Sequence, residues 1–471
     1  MRLGAALLAA ALSVPSGSLW CQTSLPEGDR ALSRDILRQL VEIVTTDSAG
    51  NTPRSAQAMA DRLLAAGFPA SDVQVMLLNP RVGNLVARYR GRERGLRPML
   101  LMAHMDVVPA LRADWSLDPW TFLERDGWFY GRGTNDDKGG AAAAVATFIR
   151  LRREGWVPDR DVILMLTGDE ETSGESTAWL LRDHRALVDA EFAVNLDAGG
   201  LNLRDGRALS FVVQVSEKMY ADYAFEVTDA GGHSSLPRPV NPIYTLAAAL
   251  QRLAGHQFPV RLDEDARLFL TRSAATESGR LAADLRAAAA TRPDSAALRR
   301  VLTHAGYAAR LRTTCVATMV AGGHANNALP QLARAVVNCR LLPGTDPAAV
   351  EATLHRLAGD SITITVLNPP EASPPSPAGA PVFRTLDSLA SAFWPGVPVL
   401  PEMGTGGTDG KNTRLAGIPT YGAYGLADDM DDVRAHGRDE RIGVAAFYDA
   451  VEFTYRTLRT LAQRPGPRDQ P

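Results

Sequence analysis

The sequence predicts an α/β protein, with a mostly parallel sheet carrying helices on both faces and an inserted α+β domain. Three observations predict it. Short apolar runs at 73–78, 84–89, 99–103, 161–167 and 192–196 alternate with stretches of helical periodicity. From Lys218 to Leu342 the pattern changes to strands around an Ala/Arg/Asp-rich helical stretch, after which α/β features resume. Several apolar runs stop on a histidine or a carboxylate, which is where open α/β sheets place their chemistry. The expected organisation is a signal peptide at 1–18, an α/β domain built from 30–217 and 343–462, and an inserted domain over 218–342.

In chain order, Arg2 precedes an apolar run at 5–14 and then Pro15-Ser16-Gly17-Ser18. That run is shorter than the roughly 20 residues that span a bilayer, so it reads as a cleaved secretory signal. The mature protein is therefore expected to be exported, periplasmic or secreted, with no stable membrane span. Residues 31–44 and 55–66 carry apolar side chains at helical spacing, and 138–153 continues as a helix with small alanines on an inner face. A helix is expected at 176–184 and strands at 223–227, 315–320 and 335–341. Helical character fills 264–310, α/β features return at 347–357, 362–367, 385–393 and 418–421, and the Pro-rich segment 369–381 is a loop.

The chain has 471 residues, 45% of them hydrophobic, and a net charge of −3, which supports a large core and leaves no basic footprint for nucleic acid. Three cysteines in so long a chain exclude a disulfide scaffold. An exported setting permits a Cys315–Cys339 disulfide without requiring one, and two buried thiols fit the sequence equally well.

The chemistry begins at Leu100-Leu101-Met102-Ala103-His104-Met105-Asp106, an apolar run ending in two polar residues that an extended chain points to the same side. Alone, the pair is weak evidence, because a satisfied structural histidine is the commoner outcome of such a spacing. The glycine-rich turn Gly131-Arg132-Gly133-Thr134-Asn135-Asp136-Asp137 lacks the Gly-Lys-Ser/Thr ending of a phosphate loop, and its adjacent aspartates would repel phosphate. A carboxylate presented to a cation fits it better. The next runs end in Gly168-Asp169-Glu170-Glu171 and Asn195-Leu196-Asp197, and a second histidine follows in Arg434-Ala435-His436-Gly437-Arg438-Asp439-Glu440. His104, Asp136, Glu171, Asp197 and His436 together suit two divalent ions sharing a bridging carboxylate, and nitrogen with oxygen ligation favours zinc, with cobalt or manganese as alternatives.

The order and wording of these motifs resemble the di-zinc peptidase family of carboxypeptidase S, aminoacylase, carnosinase, glutamate carboxypeptidase and succinyl-diaminopimelate desuccinylase. The resemblance spans about residues 30 to 460, and Asp114-Trp115-Ser116-Leu117-Asp118-Pro119-Trp120 is closest to the carboxypeptidase S branch. It implies that His104, Asp136 and Asp197 hold one zinc, and Asp136, Glu171 and His436 the other. Asp106 would orient His104, and Glu170 would be the general base. A cis peptide after the bridging aspartate is also implied. The resemblance also makes 30–217 with 343–462 the zinc-dependent catalytic domain and the inserted 218–342 a lid and dimerisation domain. On that lid, His233 in Gly231-Gly232-His233-Ser234-Ser235 matches a histidine that hydrogen-bonds the developing oxyanion across a dimer interface. Asn327 and Arg340 match substrate contacts, Arg340 to a carboxylate, and Gly406, Gly407 and Thr408 are expected to offer backbone donors to the same group. A small peptide or N-acyl amino acid is the expected substrate, and a homodimer through the lid the expected assembly.

Ala198 follows Asp197 where close relatives often carry an acid, Asp439 stands where asparagine is common, and the helical stretch makes the lid larger than in minimal relatives. Two other readings are weighed against the family. A zinc aminopeptidase would lack the His233 motif. A zinc-binding protein without catalysis would need neither Glu170 nor Asp106.

Overall fold

Side chains alternate along the strand Met99–His104: Leu101 and Ala103 join one apolar core, Leu100 and Met102 another. A strand buried on both faces requires helices on both. The structure, a computed structural model that describes residues 25–371 and 373–464, has this arrangement. One face of the central sheet is covered by helices Glu27–Glu42, Thr52–Ala65, Lys138–Arg153, Pro381–Phe393 and Val444–Leu461. The other is covered by Glu175–Asp183 and Arg185–Val188. The expected signal peptide lies outside the described residues.

The central sheet has ten strands. Val162–Thr167, Met99–His104, Phe192–Asn195 and Thr420–Gly422 run parallel, in that order, through its middle. Val82–Tyr89 and Val73–Asn79 add antiparallel on one flank, and Arg207–Glu217 begins the other. The helix Lys138–Arg153 buries Ala141 to Ala144 completely, and its first turn is capped by Asp137, whose carboxylate accepts from Gly140 N. Small side chains let this helix lie close to the strand ends that carry the site.

A second sheet of four antiparallel strands runs in the order Thr314–Gly322, Leu332–Leu341, Met219–Thr228, Thr363–Asn368. Helices Pro242–Gly255 and Pro347–Ala358 bury Leu246, Leu253, Val350 and Leu354 against it. Here the structure differs from the sequence reading, which closed this unit at Leu342 and placed 347–367 with the catalytic part. Thr363–Asn368 instead covers the otherwise open edge of Met219–Thr228. Periodicity shows that a segment is amphipathic, not which sheet it covers.

The helical stretch resolves into Glu264–Ser273, Gly279–Ala289, Ser295–Val301 and Ala305–Leu311, whose core takes in Leu400 from the strand Val399–Gly404. Arg272 donates to Val399 O at 2.5 Å and to Asp387 at 3.2 Å. These helices therefore tie the second sheet to the central one. Cys315 and Cys339 face each other in register and are joined by a disulfide, which decides between the two states the sequence left open. Among the described residues no helix is long and apolar enough to cross a membrane.

Candidate metal centre and active site

Three adjacent parallel strands end side by side; His104 closes one, and the loops leaving the other two carry Glu170 with Glu171, and Asp197. Asp136 enters from the turn between the strand Trp128–Tyr130 and the helix Lys138–Arg153. His436 comes from the loop between Ala427–Asp429 and Arg441–Gly443, held at φ +61°, a conformation uncommon for histidine and typical of constrained sites.

These side chains meet. Asp136 turns one carboxylate oxygen to each imidazole: Oδ1 lies 3.0 Å from His104 Nε2 and Oδ2 lies 3.0 Å from His436 Nε2. His104 Nε2 is also 3.5 Å from Asp197, and His436 Nε2 is 3.0 Å from Glu171. All five expected ligands thus gather around the two oxygens of Asp136. Asp137 also lies within reach of His104 and Asp197. Its oxygens, however, accept from His104 N and Gly140 N, so it serves the backbone. The Asp136–Asp137 peptide is cis.

The charge balance of this cluster fits cation binding. Burial, and then the Asp197 charge, push the carboxyls of Asp137 and Glu170 well above the usual range. Burial likewise raises Asp197 to about 7. Asp136 is held below its usual value despite burial, because both histidines hydrogen-bond it. His436 is raised to about 10 by Asp136 and Glu171. Buried carboxylates facing one another with two imidazoles are a donor set whose repulsion a divalent cation relieves.

Asp106 departs in part from its expected role. His104 Nδ1 lies 3.1 Å from the Asp106 carbonyl oxygen and 3.6 Å from its carboxylate, so the closer orienting group is the backbone. The carboxylate accepts from Glu170 N at 3.1 Å and Glu171 N at 2.9 Å, and so fixes the loop that presents both glutamates.

A cleft opens beside the cluster, lined among others by Glu170, Glu171, Lys218, Tyr220, Arg340 and Thr408. The Arg340 guanidinium stacks over the Tyr220 ring at 4.5 Å. Gly407 lines the cleft too, while Gly406 is exposed next to it. The Thr408 N–H, expected to donate to substrate, donates in this structure to Glu217 Oε2 at 2.6 Å. His233 and Asn327 do not reach the cleft. They lie exposed at a short two-stranded antiparallel sheet pairing Gly232–His233 with Ala328–Leu329, and His233 Nδ1 accepts from the Ser235 hydroxyl at 2.7 Å.

Sequence reading missed Glu440, which is completely buried and organises the glycine-rich turn. Its oxygens accept from Arg132, Gly133 N, Asn135 N and Asp136 N. Arg132 also donates to Gly437 O at 3.1 Å, and Ser116 donates to Asp439. Asp439 therefore anchors the loop that follows Asp114. Neither role left a signal in the sequence, because each partner lies about three hundred residues away. Lys218 left no signal either, and Asp409, whose carboxylate accepts from Thr167 Oγ1 at 2.5 Å, is marked by the sequence only as part of the backbone turn at 406–409.

A mostly parallel sheet with imidazoles and carboxylates converging at its strand ends is an arrangement suited to a metal-dependent hydrolase. The chain belongs to peptidase family M20/M25/M40, whose profile matches residues 100–460. It is 30% identical to the human N-fatty-acyl-amino acid synthase/hydrolase PM20D1 over 79% of this chain and 75% of that one. It is 28% identical to the probable carboxypeptidase S-like 2 of Dictyostelium discoideum over 80% and 74%. In fold it matches an M20 family metallo-carboxypeptidase from Sulfolobus solfataricus, with a TM-score of 0.69, 18% identity, and 91% and 99% of the chains covered. It also matches a Bacillus subtilis protein described as a dinuclear metal binding peptidase, with a TM-score of 0.59, 12% identity, and 93% and 99% covered. The expected family and fold class are thus found.

Proposed function

We propose that the protein hydrolyses an amide bond whose leaving amine carries a free carboxylate, in a small peptide or an N-acyl amino acid, using two zinc ions. The observation that carries this reading is the Asp136 carboxylate, with one oxygen toward each histidine and Glu170 at the adjoining cleft. His104, Asp136 and Asp197 would hold one ion, and Asp136, Glu171 and His436 the other, with cobalt or manganese as replacements. Bound there, the metal pair supplies Lewis-acid polarisation of the scissile carbonyl and a more acidic water.

The chain's own groups do the rest. Glu170, presented by the Asp106 carboxylate, accepts a proton from the attacking water and returns it to the leaving amine. Arg340 pairs with the substrate carboxylate, its plane set by Tyr220. Asn327 and His233 serve the substrate and the developing oxyanion, and because both lie outside the cleft here, a second copy of the chain would present them. The edge strand Thr314–Gly322 supports such a homodimer, since Val316, Met319 and Val320 are 58%, 68% and 72% exposed. The disulfide supports an exported setting.

The relatives that act on N-fatty-acyl amino acids favour an acyl substrate, and those named carboxypeptidases a peptide. Hydrolysis of a panel of N-acyl amino acids and dipeptides, before and after chelation and zinc restoration, separates them. Cleavage that follows the zinc supports the proposal. Cleavage unaffected by chelation that empties the site refutes it.

A further inference from the structure

We propose that Lys218 is a second cation of the substrate-carboxylate receptor, sharing one carboxylate with Arg340 and so setting the preference for free-carboxylate substrates. The inference rests on the reading of Arg340 above and adds a residue that no motif marks.

The placement comes from the strands. Lys218 immediately precedes the strand Met219–Thr228, in which Tyr220 stands opposite Arg340 in register. In an extended chain, residues 218 and 220 share a face, the one on which the Arg340 guanidinium lies. On its other side Arg340 stands opposite Thr314, and the Lys218 Nζ donates to the Thr314 hydroxyl at 3.1 Å. The backbone of Lys218 donates to Gly404 O at 3.0 Å, which ties it to the loop carrying Gly407. Lys218, Tyr220, Arg340, Gly407 and Glu170 line one cleft.

What makes the lysine unusual is its lack of an acid. Lys218 is 3% exposed, and among the described residues neither it nor Arg340 forms an ion pair with a carboxylate. Its neighbour Glu217 lines the same cleft but is already engaged, 2.6 Å from Arg414 and from Thr408 N. The third cation of the cleft, Lys411, is paired with Glu371 at 3.3 Å. Burial together with the Arg340 and Arg310 charges lowers the Lys218 ammonium to about 8. A buried ammonium satisfied by one hydroxyl, beside a guanidinium that feels the Asp222 charge but makes no ion pair with it, is stabilised when a carboxylate enters. Planar Arg340 gives that carboxylate direction, and Lys218 adds a point charge.

The test is binding, measured by calorimetry on the zinc-loaded Glu170→Gln protein. The probes are N-acetyl-L-phenylalanine and its C-terminal amide, which differ only in the charged group. Lys218→Met is expected to weaken the acid about tenfold or more and to change the amide less than about twofold. Lys218→Arg is expected to restore most of the loss. Lys218→Gln keeps a polar reach to Thr314 and repeats the test should the methionine variant fold poorly. Equal losses for both probes, unchanged binding of the acid, or a parent protein that does not distinguish acid from amide each overturn the proposal. Hydrolysis by the unsubstituted enzyme is scored separately. Turnover of free-carboxylate substrates with an indifferent Lys218 removes this inference alone, while acid binding through Lys218 without turnover removes the hydrolase reading alone.

Discussion

The Glu440 carboxylate lies 2.6 Å from the Arg132 guanidinium, and the two side chains are 0% and 2% exposed. The pair locks the His436 loop to the turn that presents Asp136, because Arg132 donates to Gly437 O while Glu440 accepts from Asp136 N. Removing one charge of a buried pair leaves the other uncompensated, typically at a cost of about 3–5 kcal/mol. Glu440→Gln is therefore expected to lower the melting temperature and to weaken metal binding roughly 10- to 100-fold. Thermal melts and competition with a chelator check both. A variant with parental metal affinity would show that the pair only stabilises the fold.

The bridging role of Asp136 predicts unequal metal losses. Asp136→Asn removes charge from both sites and is expected to leave less than one metal per chain, whereas His436→Ala is expected to leave one. Metal analysis of the dialysed proteins distinguishes them. Equal losses would mean that the two imidazoles do not serve separate ions.

Lys218 gives stability a pH dependence. Its native pKa of about 8 lies below the 10.5 of the unfolded chain. Between these values the unfolded chain holds a proton that the native chain has released, so stability rises with pH across that window. Below about pH 8 the full penalty applies, about 3 kcal/mol. The charged groups around it are Arg340 and Arg310, which lower it, while Glu217 faces Arg414 and Glu402 pairs with Arg310. Lys218→Met should melt higher than the parent at pH 7, and that advantage should disappear toward pH 10.5. A difference independent of pH would show that packing, not the ammonium, is responsible.

The exposed edge of the second sheet predicts association. Val320→Asp, at a side chain 72% exposed, leaves the folded monomer intact and is expected to abolish any dimer and, with it, the contribution of His233 to turnover. Sedimentation and kcat read together check this. A parental chain that is monomeric and fully active would exclude supply of His233 by a second copy.

Much of the site was legible because its residues close apolar strands. His104, Glu171 and Asp197 each follow a run buried on both faces, and sheet topology brings such ends together. Asp136 was legible from the glycines around it. Glu440 and Lys218 were not, since their meaning depends on partners from distant segments, Arg132 in one case and Arg340 in the other. The same limit applied to the fold. The helix Pro347–Ala358 was readable as a helix, but its place on the second sheet depended on an open strand edge that only the assembled chain creates. Asp106 shows a finer failure: its proximity to His104 was read correctly, yet the closer contact comes from its carbonyl oxygen.

The central claim is that Glu170 moves the proton in a metal-dependent hydrolysis, and the most direct measurement is kcat of Glu170→Gln with bound metal counted in the same sample. The account predicts a loss of about 10²- to 10⁴-fold with metal content unchanged. Turnover at the parental rate with full metal content would contradict it.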